Sequence, residues 1–459
     1  MYQPSGAVAS ATVPSQSSNS QRDRIRRRRR PIGVVAAVAL AAALSACGSS
    51  GSGASAQSTL IFADVAPFSG PDAALGPIYL VSCDGTTHAI NAAGGILGHK
   101  VACTTADTRG EPADAVPAVG NLIATTKGLE LVIGCTSDEA ASVVPVINRN
   151  KTVMFCMTGQ SEFDHVVYPY FYRLVPPDLA ESYAMTVIAQ HLGYKRIALA
   201  FGNDIGSQTF VQPAVAAIAK AGLTLVANET LDLNATTFRT EAEKIVAAHP
   251  DAIMTEALGA ADPTLFAEIK QLNGGKMIPI IGTSAAISPA FYSASAKAVG
   301  ASAFAAAFHA DNLVTATSGP AYQAFTQALL AVKGHVSGAQ TGDFTTYFTA
   351  PGAVHLYDGM NLAALAMVAA GSTDTAKWKP WIAKIGDGVP GAVVVNSFAA
   401  GVAALKAGKN IRYVGPGGPT SFDAFHDSPG IFQIDTYSTT GAVQVVGNIT
   451  AVQLRAVSG

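Results

Sequence analysis

The sequence predicts an α/β protein built as two doubly wound parallel-sheet lobes joined by a hinge. Three observations carry that expectation. From residue 59 onward, apolar runs of strand length alternate with stretches of helical spacing. The alternation breaks once, at Pro176-Pro177, and then restarts. The chain has 459 residues, more than one hydrophobic core usually serves, with 49% apolar and only 13% charged residues, as a folded globule requires.

The first segment is not part of that fold. Arg22-Asp23-Arg24-Ile25 and the run Arg26 to Arg30 precede an apolar stretch from Pro31 to Ala46, the order of a signal peptide over 1–46. The apolar run is short of the roughly 20 residues that span a bilayer. Leu44-Ser45-Ala46-Cys47 resembles the bacterial lipobox, which implies cleavage before Cys47 and lipidation of its thiol; an ordinary signal peptide is the plainer reading. The Gly/Ser-rich residues 47–58 then read as a flexible tether that holds an extracytoplasmic protein at the cell membrane. Removing the leader takes away seven Arg and one Asp, so the formal net charge moves from −2 to −8 and a nucleic-acid partner is not expected. Outside the cell, disulfides persist, and four cysteines remain after Cys47.

In the first lobe, 59–175, "TLIFADVAPF", "KVACTTADT", "LELVIGC" and "TVMFCMT" are continuous in apolar and β-branched residues and read as buried parallel strands. Between them, "IYLVSCDGTTHAINAAGG", "EPADAVPAVGNLIATTKG" and "EAASVVPVINRN" have helical spacing, and two of the three close on Gly. Four cysteines allow three pairings. Cys83 lies on the first helix and Cys103 on the next strand, while Cys135 and Cys156 lie near the ends of consecutive strands. These places are neighbours in such a sheet, so Cys83–Cys103 and Cys135–Cys156 are the expected bridges.

After "YRLVPPDLAES", where Asp178 can cap a helix, a second lobe runs over 176–304 with "RIALAFG", "LTLVANETLD", "DAIMTEAL" and "IPIIGTS" as strands. Helices are expected around 207–221, 237–248 and 262–273. Further on, "ASAFAAAFHA" reads as a strand, "YDGMNLAALAMVAAG" as a helix, and the stretch from "IRYVGPGGP" to "GAVQVVGNIT" as a β-rich tail. The expected division has 305–390 completing the first lobe and 391–459 the second.

At "INAAGGILGHK", residues 90–100, the chain resembles the leucine/isoleucine/valine-binding proteins, the type I periplasmic solute-binding components of ABC importers. Further matches follow in order: "APFSG", "VIGCTSDEAASVVPVIN", "HLGYKRIALAFGNDIG", "HLYDGMNLAALAM" and "YVGPGGPTSFD". The resemblance covers about 58–445 and implies a small-molecule ligand held between two hinged lobes, no cofactor, no metal, an ABC permease as partner, a lipid anchor and a monomer. An extracytoplasmic sensor on the same fold is the second reading.

For the site, the resemblance points to strand ends. Thr136, Ser137 and Asp138 open a helix; they either cap it or receive a ligand's polar head, with Ser137 in the place of a carboxylate-binding serine and Asp138 unfavourable to an anion unless turned away. Thr158, Gly159 and Gln160 follow the fourth strand, where small and hydroxyl residues bind the head group. Phe68 and Ser69 follow the first strand, Phe68 as an apolar wall or as core. In the second lobe the match thins. Ile205 stands where a tyrosine is common, and Thr283 and Ser284 stand where leucine-type binders place an acid for the ammonium, with Glu256 as a substitute. Amides and organic acids therefore stay open as ligands beside amino acids. The expected order is capture by the first lobe at Ser137, Asp138 and Thr158–Gln160, then closure by the second through Asn203, Ile205 and Ser284. Enzyme classes find no support in the motifs: there is no G-x-S-x-G, no phosphate-binding loop and no H-E-x-x-H.

Overall fold

The first lobe's apolar runs form a five-stranded sheet of β1 (Leu60–Ala66), β2 (Val101–Asp107), β3 (Leu129–Gly134), β4 (Val153–Cys156) and β5 (Phe171–Arg173). Its order is β2-β1-β3-β4-β5 and every pairing is parallel. The computed structural model describes residues 57–166, 168–338, 344–428 and 430–458. The leader, the lipobox and Cys47 lie outside the described residues. β4 is buried along its whole length and β3 over its last four residues, which is why these runs do not alternate. β5 was not legible as a strand, since its three residues run straight into Pro176-Pro177.

Helices Gly76–Ala92, Pro112–Thr125 and Ser137–Arg149 connect the strands. The first packs against Pro351–Ala370, a 20-residue helix apolar enough to cross a membrane by composition, of whose most apolar window 78% is buried. Apolar on all sides, it is the central core helix of this lobe, surrounded by Phe155, Leu174, Phe325 and Trp378. The two bridges are Cys83–Cys103 and Cys135–Cys156, with sequence separations of 20 and 21. Each fastens a strand of the sheet to a neighbour.

The second sheet has seven strands: β6 (Arg196–Gly202), β7 (Thr224–Leu231), β8 (Ala252–Glu256), β9 (Ile280–Gly282), β10 (Phe308–Leu313), β14 (Phe432–Tyr437) and β15 (Val443–Ile449), in the order β15-β14-β10-β9-β8-β6-β7. β14 and β15 are antiparallel, on one edge. The expected strand "ASAFAAAFHA" is instead a helix over Ala301–Ala307, and only Phe308 begins the strand. Its alanines carry high helix propensity, and no cross-strand packing overrides it. A three-stranded sheet of β11 (Val393–Val395), β12 (Ile411–Gly415) and β13 (Gly418–Pro419) packs with the first lobe, so the return to the second lobe falls after residue 419 rather than at 391. The chain closes with a helix, Ala451–Val457, on the second lobe.

Three connections join the lobes, after β5, after β10 and before β14. Arg173 fastens two of them. Its buried guanidinium donates to both Asp427 oxygens at 2.6 and 2.7 Å, to Asp164 at 2.7 Å and to the Gln160 carbonyl at 3.1 Å.

Candidate functional site

The carboxyl ends of the parallel strands of both lobes face one another, the position where open α/β sheets bind ligands. A crevice opens there. Its apolar lining includes Leu75, Tyr79, Met157, Phe210 and Ile287. Its charged lining is Asp72, Asp138, Asp178, Glu181, Asp204 and Glu256, and no Lys, Arg or His lines it.

On the first-lobe wall, β3 ends at Gly134 and the turn through Cys135, at φ 50°, aims the next three residues at the crevice. The Thr136 N–H donates to Glu139 at 3.1 Å, the Thr136 hydroxyl bonds the same carboxylate, and Thr108 donates to it at 3.0 Å. The positive end of helix Ser137–Arg149 is thus already occupied by its own Glu139, with Asp138 beside it. An anion is a poor match for that end. Ser137 and Thr158 exchange a hydrogen bond at 3.1 Å. Asp138 does turn away from Ser137: its carboxylate accepts the Gly206 N–H at 2.7 Å, a contact that crosses the crevice. The approach is close: a Cβ at Gly206 would lie 3.2 Å from the Ser137 Cβ and 3.3 Å from Asp138 Oδ1, so these neighbours would have to give by a few tenths of an ångström.

On the second-lobe wall the acids are held by hydroxyls. Thr209 donates to Asp178, Thr283 to Glu256, and Ser284 to Glu181 at 2.9 Å. Thr283 and Ser284 do not replace the acid expected after this strand; they support two acids delivered from other elements. Asp178 does not cap its helix, Asp178–His191, as its sequence context suggests; its carboxyl lies so close over Gly159 that a Cβ there would sit 1.9 Å away. Gly159 therefore admits a carboxyl of the protein itself. Asp204 caps its own helix through one oxygen, accepting the Ser207 N–H at 2.7 Å, while its other oxygen, Oδ2, has no partner.

Burial raises Asp72, Asp138, Asp178, Glu181 and Glu256. It pushes Asp72 up to about 9, with the neighbouring Asp138 and Asp204 adding to it, and Asp178 up to about 8. Glu181 rises to about 7, and Asp138 and Glu256 also rise, in each case chiefly because burial disfavours the charged form. Asp72 and Asp138 share a hydrogen bond, so one of the pair holds a proton.

Of the residues expected from sequence, Thr136, Ser137, Asp138, Gly159, Glu256 and Ser284 line this crevice. Thr158 is buried behind Ser137, and Gln160 is buried, its side-chain N and O both without a partner. The other four lie elsewhere. The Phe68 and Ser69 amides and the Ser69 hydroxyl are fastened to Asp107, and Phe68 packs against the first-lobe core. Asn203 holds its own loop by bonds to Asp232 and Leu233. Ile205 is 49% exposed and lines an outer cavity with Asn203, at the rim. Its neighbour Gly206 makes the cross-lobe contact instead. Asp72, Tyr79, Asp178, Glu181, Asp204 and Phe210 escaped the sequence reading as site residues. The signal available for two of them was position: Asp204 follows β6 and Asp178 opens the helix after β5, both on the carboxyl side of a sheet.

The sequence profile of the periplasmic binding protein family matches residues 63–424. A curated relative, "Leu/Ile/Val-binding protein homolog 3" of Brucella melitensis, is 32% identical over 106 residues, which is 23% of this chain and 28% of that protein. The chain thus spans less than a third of that relative's length in the match. Among solved structures, the leucine binding protein LivK of Thermotoga maritima superposes with a TM-score of 0.67 at 18% identity, over 86% of this chain and 99% of that one. A solute binding protein of an ABC transporter from R. palustris, solved with benzoate, gives 0.65 at 16% identity, over 85% and 96%. The chain belongs to the periplasmic binding protein family, with the two-lobed type I fold.

Proposed function

We propose that this protein is the extracytoplasmic solute-capturing component of an ABC importer, a monomer that closes two lobes around a small polar organic solute. The observation that carries the reading is the crevice itself, whose opposing walls meet through the Gly206 N–H and the Asp138 carboxylate. A solute that bridges the walls adds contacts to both and shifts the hinge toward closure. The relatives named for leucine or solved with benzoate support a solute of amino-acid or organic-acid size. No carboxylate-binding cation faces the crevice, which favours an amine-bearing solute over a simple acid. The solute-binding residues in this reading are Asp72, Ser137, Asp138, Asp178, Glu181, Asp204, Glu256 and Ser284.

The leader and lipobox support the rest of the reading: cleavage before Cys47, lipid on its thiol, and a tether that keeps the receptor beside its permease. Mass spectrometry of the native N-terminus is expected to find residues 1–46 removed and Cys47 acylated. The binding function itself is tested by a thermal-shift screen over amino acids, amides, amines and organic acids. A ligand at 100 times its Kd stabilises by about 2.7 kcal/mol, so one chemical class is expected to stand out. A flat response across all four classes would sink the proposal.

A further inference from the structure

We infer that the solute taken by this crevice is an organic cation with at least two protonated nitrogens on an apolar body, an inference that rests on the solute-binding reading above. Six carboxyl groups line the crevice and no basic side chain does, so a neutral or anionic solute would leave them unbalanced. The feature that ordinarily receives a carboxylate, the N-terminus of helix Ser137–Arg149, is closed by Glu139 and flanked by Asp138. The acids are also placed in two groups. Asp72, Asp138 and Asp204 line both the crevice and the outer cavity at its mouth, whereas Asp178, Glu181 and Glu256 line the crevice alone. A solute that satisfies both groups carries one cationic nitrogen toward the mouth and another inward.

The apolar part of the lining, with Leu75, Tyr79, Met157, Phe210 and Ile287, suits the hydrocarbon body of such a solute. Among the described residues no three or more His, Cys, Asp or Glu side chains converge as a metal site, so the acids are spread for an extended cation rather than a point charge. Asp204 lines the crevice with one oxygen committed to the Ser207 N–H and Oδ2 packed over Gly202 without a partner. Raised carboxyls point the same way. Burial raises the Asp72 and Asp178 carboxyls, and an ammonium group beside them would offset the cost of their charged forms.

The test is calorimetric titration of the intact protein with 1,4-diaminobutane, agmatine, L-arginine, L-leucine and benzoate. The three compounds with two cationic centres are expected to bind at least about 100-fold tighter than leucine and benzoate, the discrimination that one or two charge-assisted hydrogen bonds give. Arginine binding more tightly than agmatine would add a held carboxylate to the cation sites, and the reverse order would not; either supports the inference. Leucine or benzoate binding as tightly as the cations overturns it while leaving the solute-binding function standing. No binding by any of the five overturns the cation assignment, and the wider thermal-shift screen then decides the solute-binding reading. In the Asp178→Asn/Glu256→Gln variant the cations are expected to lose about 100-fold in affinity with the melting transition still cooperative. Unchanged affinity in that variant overturns the assignment.

Discussion

The two walls of the crevice are made differently. The first-lobe wall is braced: both disulfides lie behind it, its sheet is wholly parallel, and its helix N-terminus is closed by its own glutamate. The second-lobe wall has no disulfide among the described residues but supplies Asp178, Glu181, Asp204 and Glu256, four of the six crevice acids, each held by hydroxyl or amide hydrogen bonds. Sequence reasoning expected the reverse, with polar capture in the first lobe and neutral contacts in the second. The structure assigns shape and rigidity to the first wall and most of the charge to the second. The first wall is held in place by its bridges, and the facing wall carries four of the six acids.

The largest expected break in this comparison is removal of both bridges together, whose separate costs add. Cys83→Ser/Cys103→Ser and Cys135→Ser/Cys156→Ser should each cost roughly 3 kcal/mol, as loops of about 20 residues do. In denaturant the first lobe is then expected to unfold ahead of the second, and a single unchanged transition would contradict the division of labour.

Next comes the hinge. Arg173→Met leaves Asp427 and Asp164 without their buried partner and should cost about 3–5 kcal/mol, read from urea unfolding. A loss below about 1 kcal/mol would mean the pair is not what ties the lobes.

Gly206→Val sharpens the comparison at the contact between the walls. Its Cβ falls at 3.2 Å from the Ser137 Cβ, so the walls must separate, and affinity for whatever ligand the screen identifies should drop by about 1–3 kcal/mol with little change in melting temperature.

Most of the architecture was legible because buried parallel strands announce themselves as unbroken apolar runs and the Pro176-Pro177 break marks the change of lobe. The bridges were legible from the same placement of strands. What failed was local or distant. Ala301–Ala307 looked like a strand because its residues are apolar, although alanine favours helix. Residues 393–419 return to the first lobe because their partners, such as Asp358 against Tyr413, lie some 55 residues away, which no local pattern records. At the site, the strand-end reasoning led to Ser137, Asp138, Gly159 and Glu256, which line the crevice. The acids Asp72, Asp178, Glu181 and Asp204 were passed over because each, taken alone, is an ordinary loop or first-turn helix residue; only folding brings them to one cavity. Ile205 was chosen over Gly206 because a side chain looks more functional than the lack of one.

The smallest expected effect is on the pH dependence of the ligand-free protein. Asp72 faces Asp138, Asp204 and Glu139, Asp178 faces Thr209, Glu181, Arg173 and Asp164, and Glu181 faces Ser284. Their native pKa values, about 9, 8 and 7, lie above the ordinary carboxylate value, so the native state binds more protons than the unfolded chain between about pH 4 and 9. The stability they carry is present below that window and is lost as pH rises through it. The melting temperature without ligand should therefore be a few degrees higher near pH 5 than near pH 8.5. Asp178→Asn should flatten the difference.

The central claim is that a protonated, mostly second-lobe acid wall exchanges its protons for a cationic solute. Calorimetry of L-arginine or 1,4-diaminobutane binding at pH 7, repeated in buffers of different ionisation enthalpy, counts the protons directly. The account predicts net release on binding, from Asp72 and Asp178 above all, with affinity rising as pH goes from about 6 to 8. Proton uptake, or an affinity that falls over that range, would contradict it.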